Sequence, residues 1–430
     1  MGSWVANALS EKLGTEVKVG NVNLGFLNRL IIDDIYAEDL EGRPMLKVAR
    51  TSASFNILSL LSGKIEISTA QLFGLTANLS KKHPDAPLNC QFVIDAFSSK
   101  EEKESSPLYL NINSLIVRHA NLNFDVESEE KTEGKFNPNH LSLKDIGFTS
   151  SIRTLTNDSI TIAVKRLDFR EVHSGLELTE FKTSIAANKQ SALIDSLHIA
   201  TPHSMLNLGP TNISYPQYEM NKRFSLSSNI NNTHITPSDF KALLPTLSDF
   251  NTPIFIDSEI RADQNGINLN NTAINSQNES LQLLANAHIN LQGSSMTGLD
   301  TQINRMNITP VGSQKILSAL KLDASTSDII QRLGHINMEG NASKDADDLF
   351  ANLTITTDAG ALDIDGSFDN EKNLLAHLKS ESLNLKQILN DEKFGQTAFN
   401  LHVDGSLAAK QPSGTVNGTI EHLDYSDWCS

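Results

Sequence analysis

The chain carries 12 histidines and 51 aspartates and glutamates among 430 residues, enough titratable groups for hydrolysis or metal binding if their spacing brings them together. The local spacing does not. No histidine pair stands in the HExxH order that puts two imidazoles and a general base on one helix face. Gly293-Ser294-Ser295-Met296-Thr297-Gly298 lacks the Gly-x-Ser-x-Gly order of a nucleophile elbow. Asp363-Ile364-Asp365-Gly366-Ser367-Phe368-Asp369 has the alternating carboxylates of a calcium loop, but its glycine comes too early and no glutamate closes it at the twelfth position. A turn-bearing strand pair accounts for it. His198 and His203 flank Pro202, which favours a loop over a metal pair. Cys90 and Cys429 are the only cysteines and have no CxxC or Cys/His spacing for zinc. Cys90, beside Phe92 in an expected strand, reads as packing. The expectation is no catalytic residue, no metal and no cofactor, with an acidic cleft as the one open route to an enzyme.

The elements that would position any site are mostly strands. After a first amphipathic segment, Trp4 to Leu13, with Val5, Ala8, Leu9 and Leu13 on one helical stripe and Gly14 at the cap position, the apolar period changes from 3.6 to two. Alternation recurs at Leu110 and Ile112; Leu122, Phe124 and Val126; Ile160, Ile162 and Val164; Ile254, Ile256 and Ile260; Leu353 and Ile355; Leu362 and Ile364; and Phe399, Leu401 and Val403. Neighbouring positions are mostly Asn, Asp, Ser, Thr or Lys. One apolar and one wet face is the mark of antiparallel strands, whereas buried parallel strands read as continuous apolar runs.

Three helix starts interrupt the strands. Thr236-Pro237-Ser238-Asp239 offers a cap, a proline at the first helical position and an acid at the third, ahead of Phe240, Leu243 and Leu244. Asn307-Ile308-Thr309-Pro310 repeats that start 73 residues later, leading into Ile316, Leu317 and Leu320. Leu383-Asn384-Leu385-Lys386 is a third copy, leading to Ile388 and Leu389. From about residue 224 onward this spacing predicts a repeat of several strands plus one helix.

Composition narrows the function classes. Charged residues are 20% and hydrophobic residues 39% of the chain, so it is globular and not disordered. A formal net charge of -16 repels nucleic acid, and no basic patch offsets it. The charge-dense stretches Ser98 to Ser106 and Glu127 to Lys135 mix both signs and are expected to be solvated loops. No apolar run approaches the ~20 residues that span a bilayer, so the chain is expected to be soluble. Met1-Gly2-Ser3 and Cys429-Ser430 read as additions, with native sequence beginning at Trp4.

Several segments then recur in a familiar order. Thr15-Glu16-Val17-Lys18-Val19-Gly20 is followed by Leu30-Ile31-Ile32-Asp33-Asp34-Ile35, Asp39-Leu40-Glu41-Gly42, Ile57-Leu58-Ser59-Leu60-Leu61-Ser62-Gly63-Lys64-Ile65, Leu72-Phe73-Gly74-Leu75-Thr76-Ala77-Asn78-Leu79 and Leu88-Asn89-Cys90-Gln91-Phe92. This order resembles the amino-terminal part of TamB-like proteins of Bacteroidota, kin of the AsmA proteins and similar in architecture to chorein-type bridge lipid transfer proteins. The likeness continues through Phe136-Asn137-Pro138-Asn139-His140-Leu141 and Glu171-Val172-His173-Ser174-Gly175. No one motif is diagnostic; their order is. The family's membrane anchor and its barrel-docking domain have no counterpart here.

The resemblance implies a mainly β fold: a long antiparallel, curled, groove-like repeating sheet with a short N-terminal helix and a few short interrupting helices. The expected parts are 4–97, a groove start with its helix, 108–223, a middle region, and 224–428, the repeating units, in one continuous sheet. It also implies a periplasmic lipid-transfer segment that shields phospholipid acyl chains between the inner membrane, reached through an anchor ahead of Trp4, and an outer-membrane barrel protein of the BamA/TamA kind. Water charges about 0.8 kcal/mol per exposed methylene, on the order of 12 kcal/mol for a chain of ~15, and an apolar groove offsets that. Its expected lining is Leu110, Ile112, Leu122, Phe124, Ile160, Ile162, Val164, Ile254, Ile256, Ile260, Leu353, Ile355, Leu362, Ile364, Phe399, Leu401 and Val403. Two other readings stay open. The apolar faces could pack on one another as a sandwich core, or sheet edges could accept unfolded outer-membrane strands, the assembly role in the family's name.

Overall fold

Residues that alternate apolar with polar side chains form strands almost everywhere, and the protein is mainly β. The computed structural model describes residues 2–25, 28–55, 65–97, 110–155, 158–215, 224–248, 250–292, 295–320, 324–406, 408 and 413–426. Ser98 to Ser106, one of the two charge-dense stretches, lies outside them. The chain divides into two units, Met1–Tyr218 with Ser238–Ser248, and Glu219–Pro237 with Asp249–Ser430.

The first unit opens with α1 (Gly2–Leu13), which Gly14 ends in the left-handed region (φ 69) while its N–H donates to the Ser10 carbonyl. Ser10 Oγ then accepts from Val17 N at 2.9 Å, tying the helix to the first strand. Among the described residues twelve strands follow: β1 (Val17–Val19), β2 (Val22–Gly25), β3 (Arg29–Glu38), β4 (Pro44–Phe55), β5 (Ile65–Lys81), β6 (Leu110–Val126), β7 (His140–Leu155), β8 (Ser159–Glu171), β9 (Glu177–Asn188), β10 (Ser191–Ala200), β11 (Met205–Leu208) and β12 (Thr211–Ser214). From β3 to β10 each strand pairs with the next. The short strands β1 and β2 share one edge of β3, and β11 and β12 share one edge of β10.

One pairing departs from the antiparallel expectation: β5 and β6 run parallel, from Ile65 beside Leu110 to Lys81 beside Val126. Parallel neighbours need a crossover. The connection contains α2 (Gln91–Phe97), so the strand expected around Cys90 and Phe92 is corrected: Phe92 lies in a helix and Cys90 in the turn just before it. Phe92, Val93 and Ala96 fall on one side of its turn, and the first two pack on the Val17, Ala37 and Met45 cluster with Leu9 and Leu13 of α1. This is a small core at one end of the sheet.

The second unit is an antiparallel meander: β13 (Ser225–Ile235), β14 (Ile254–Asp263), β15 (Gly266–Ser276), β16 (Leu281–Gln292), β17 (Ser295–Ile308), β18 (Ile336–Asp345), β19 (Asp348–Thr357), β20 (Gly360–Phe368), β21 (Asn373–Asn384), β22 (Phe394–Ser406) and β23 (Ser413–Tyr425). Helical turns follow β13 (Pro237–Phe240 and Pro245–Leu247, with Ser238–Ser248 counted to the first unit), β17 (α3, Pro310–Leu320, and α4, Ala324–Arg332) and β21 (α5, Leu385–Leu389). β14–β17 and β18–β21 are thus each four strands followed by a helical connector. Thr309 caps α3 by accepting from Gly312 N, and Asn384 caps α5 by accepting from Gln387 N at 3.1 Å. The first connector falls short of the expected helix: it is two 3₁₀ turns, and Leu243 and Leu244 are exposed where an apolar stripe was expected.

Bulges keep the apolar face in phase. His119, Asp145, Asn232 and Asn271 sit at register shifts inside strands, at φ between 49 and 54, and each extra residue swings the next apolar side chain back to the same face. Gly74 is left-handed too, at φ 64. At Gly74 a Cβ would stand 2.9 Å from the Ala49 Cβ, so glycine is required there by contact as well as by φ.

Candidate functional site: an apolar sheet face

Residues opposite one another across a strand pair point to the same face, so the registers assign every side chain of each sheet to a side. In the first unit Ile67, Ile112, Ile152, Ile162, Ile185 and Ile194 succeed one another on six neighbouring strands, β5 to β10. A second row on that face runs Ile32, Thr51, Leu72, Val117, Phe148, Leu167, Phe181, Ile199 and Leu206, from β3 to β11. Of the expected lining residues, Ile112, Leu122, Phe124, Ile160, Ile162 and Val164 all fall on this face. The Leu110 side chain lies outside the described residues.

In the second unit Ile256, Ile274, Leu283, Met306, Met338, Ile355 and Leu362 form one row across β14 to β20. Beside it run Ala285, Ile303, Gly340, Leu353, Ile364, Leu378 and Leu401, from β16 to β22. Ile254, Ile260, Phe399 and Val403 share the face. Each unit therefore gathers its own expected lining residues on one side of its sheet.

Burial tells what covers these rows. Every Ile, Leu, Val, Phe and Met named in them is half-buried, and none reaches the burial of a core side chain. A side chain inside a sandwich interdigitates with a second layer and loses nearly all its exposure. Among the described residues of the second unit the buried apolar side chains are Ala285, Leu317, Ala359 and Ala398, and Leu317 belongs to α3. The helical connectors α3, α4 and α5 stand at one end of the strands, where Gln387 Nε2 donates to the Arg332 carbonyl at 2.6 Å. The opposite face is wet: Asp257, Glu259, Asp363, Asp365, His402 and Asp404 are exposed, as is Phe255.

Among the described residues no carboxylate stands in the apolar rows. The two most buried, Asp39 and Glu171, sit at turns at one end of the first sheet, and Asp239 lies within the Pro237–Phe240 turn. Burial pushes the Glu171 carboxyl up, but hydrogen bonds from Ser174 Oγ, Ser174 N, Ser142 N and His173 N outweigh it and hold the group below its ordinary range. Asp39 is likewise held down, against burial, by Arg43, Glu41 N and Asn89, and Asp239 by Thr201, Ser204 and His203. These are turn clamps with every oxygen engaged. Sequence gave no signal for them, since each gathers donors from a turn or a strand end.

The residues weighed for chemistry are dispersed. Asp363 accepts from Thr354 Oγ1 and Asp365 from Asn352 Nδ2, both at 2.8 Å, inside the β19 and β20 pair. His198 Nδ1 meets Asn207 Oδ1 at 2.6 Å, and His203 Nδ1 meets Asp239 at 2.8 Å. Glu127 and its exposed turn are tied down by Arg43 and Lys82. Among the described residues no three His, Cys, Asp or Glu side chains gather as a metal site, and no helix is long and apolar enough to cross a membrane.

Neither a protein-family model nor a curated protein matches this chain.

Proposed function

We propose that the chain is a segment of a lipid-transfer conduit whose apolar sheet face shields phospholipid acyl chains. The observation that carries this reading is the half-burial of the contiguous apolar rows, such as Ile67 to Ile194 and Ile256 to Leu362. A row of aliphatic side chains left half-open offers acyl chains the contact that a second sheet would otherwise take, at about 25 cal/mol per Å² of apolar surface removed from water. Aliphatic side chains suit this cargo because methylene chains ask for area and not for directed hydrogen bonds. The resemblance to TamB/AsmA-like proteins supports a periplasmic setting, with an inner-membrane anchor and an outer-membrane barrel partner beyond these residues.

Photo-crosslinking tests this. A benzophenone amino acid at Ile256 should capture phospholipid in cells, while the same probe at Phe255, on the wet face, should not. Equal capture at both positions would count against a groove.

A second reading, assembly of outer-membrane proteins by strand addition, is favoured by one feature. Among the described residues β23 pairs only with β22 and is exposed along its whole length, so its far edge presents unpaired backbone groups. Outer-membrane strand peptides that protect β23 amides from hydrogen exchange would support it.

A further inference from the structure

We propose that the wet face of the second unit, opposite the apolar rows, binds an extended uncharged glycan. The proposal is independent of the lipid reading and rests on a different surface. Two concavities of about 570 and 440 Å³ lie on this face and share Phe350, Asp365 and Gly366, so they form one trough crossing β15 to β23. Its floor is backbone at small residues such as Ala287, Ala342, Ala351 and Gly366, which lets a ligand approach the sheet closely.

Along one wall Asn286, Gln302, Asn341 and Asn352 succeed one another on β16 to β19, with Asp365 next on β20. An amide offers two donors and an acceptor, and a hydroxyl one donor and two lone pairs, so an amide or carboxylate can bridge the vicinal hydroxyls of a sugar. Among the described residues the Gln302 and Asn341 amides have no protein hydrogen-bond partner. The strand spacing of ~4.8 Å is close to the length of one extended sugar unit, so a glycan lying across the strands meets a fresh amide with each sugar. On the other wall Phe350 is 46% exposed, an apolar plate for the C–H face of a pyranose ring.

Charge sets the ligand class. No Lys or Arg lines either concavity, whereas Asp300, Asp365 and Asp404 do, so phosphorylated or sulfated polymers are repelled. Asp365 already accepts from Asn352, and Asp300 from Asn290, so these groups serve as hydrogen-bonding members of the wall.

The test uses the full chain, titrated by calorimetry and saturation-transfer NMR with chitotetraose and cellotetraose, and with tetralysine as a cationic peptide. The expected result is binding of at least one tetrasaccharide, weakened about tenfold or more by Phe350→Ala and by Asn341→Ala, and unchanged by Glu371→Ala in the exposed turn before β21. Circular dichroism checks each variant, and if Phe350→Ala misfolds, Asn341→Ala decides. The proposal is overturned if neither tetrasaccharide binds at up to about 10 mM, if both wall substitutions leave binding intact, or if tetralysine alone occupies the trough.

Discussion

Ile256 in β14 and Ile355 in β19 belong to one cross-strand row, linked through Ile274, Leu283, Met306 and Met338, and both are half-buried. A charge placed in that row enters a surface that water can still reach. Ile256→Asp should therefore cost about 1–2 kcal/mol, well short of the penalty for an unpaired charge in a closed core. Phe255→Asp, on the wet face, should stay within about 0.5 kcal/mol of wild type. Urea unfolding of both variants checks this, and lipid capture should be lost only with Ile256→Asp.

The contrast between covered and open apolar residues gives a second prediction. Met45 is 4% exposed beneath α1 and α2, so Met45→Ala should cost about 2–4 kcal/mol. Leu353, half-buried in the open rows, should lose only about 1 kcal/mol as Leu353→Ala, because less contact is removed. Comparable losses at both positions would mean that the rows are packed as a core.

These two predictions also mark what the sequence made legible. Strict alternation held in β14, where Ile254, Ile256 and Ile260 could be assigned to one face without coordinates, because that strand is free of extra residues. In β7 the apolar positions Leu143, Ile146, Phe148, Ile152 and Leu155 are spaced by three, two, four and three, and in β9 Phe181 and Ile185 stand four apart. Period-two reasoning passes over them. The registers show why: bulges near Asp145 and between Ile152 and Thr154 restore the face after each slip. The helix Gln91–Phe97 and the parallel β5 and β6 pairing were hidden for another reason, since both depend on a crossover set by tertiary packing. The half-burial of the rows, which bears most on function, has no sequence signature at all.

Backbone geometry gives a third prediction. Gly74 lies at φ 64, with the Ala49 Cβ 2.9 Å from where its own Cβ would be. Gly74→Val combines a left-handed β-branched residue with that clash, and should destabilise the protein by about 2–4 kcal/mol. Thermal unfolding measures it; a change under 0.5 kcal/mol would mean the backbone there relaxes freely.

Acid sensitivity should trace to the turn clamps. The folded Glu171 carboxyl titrates below its ordinary value of 4.5, so its stabilising contribution is fully present above that pH and is lost as pH falls through the folded value. Glu171→Ala should cost about 2–4 kcal/mol at pH 7 by stranding the N–H groups of Ser142, His173 and Ser174, and should flatten the loss of stability below pH 4.5. Parallel stability curves for wild type and variant would refute the clamp.

The central claim is that the open apolar rows hold acyl chains, and organic-solvent extraction of the purified protein followed by mass spectrometry tests it most directly. The account predicts co-purifying phospholipid that is depleted by Ile256→Asp and Val403→Asp but retained with Phe255→Asp and His402→Asp. Protein that carries no phospholipid from cells, and takes up none from vesicles, would contradict it.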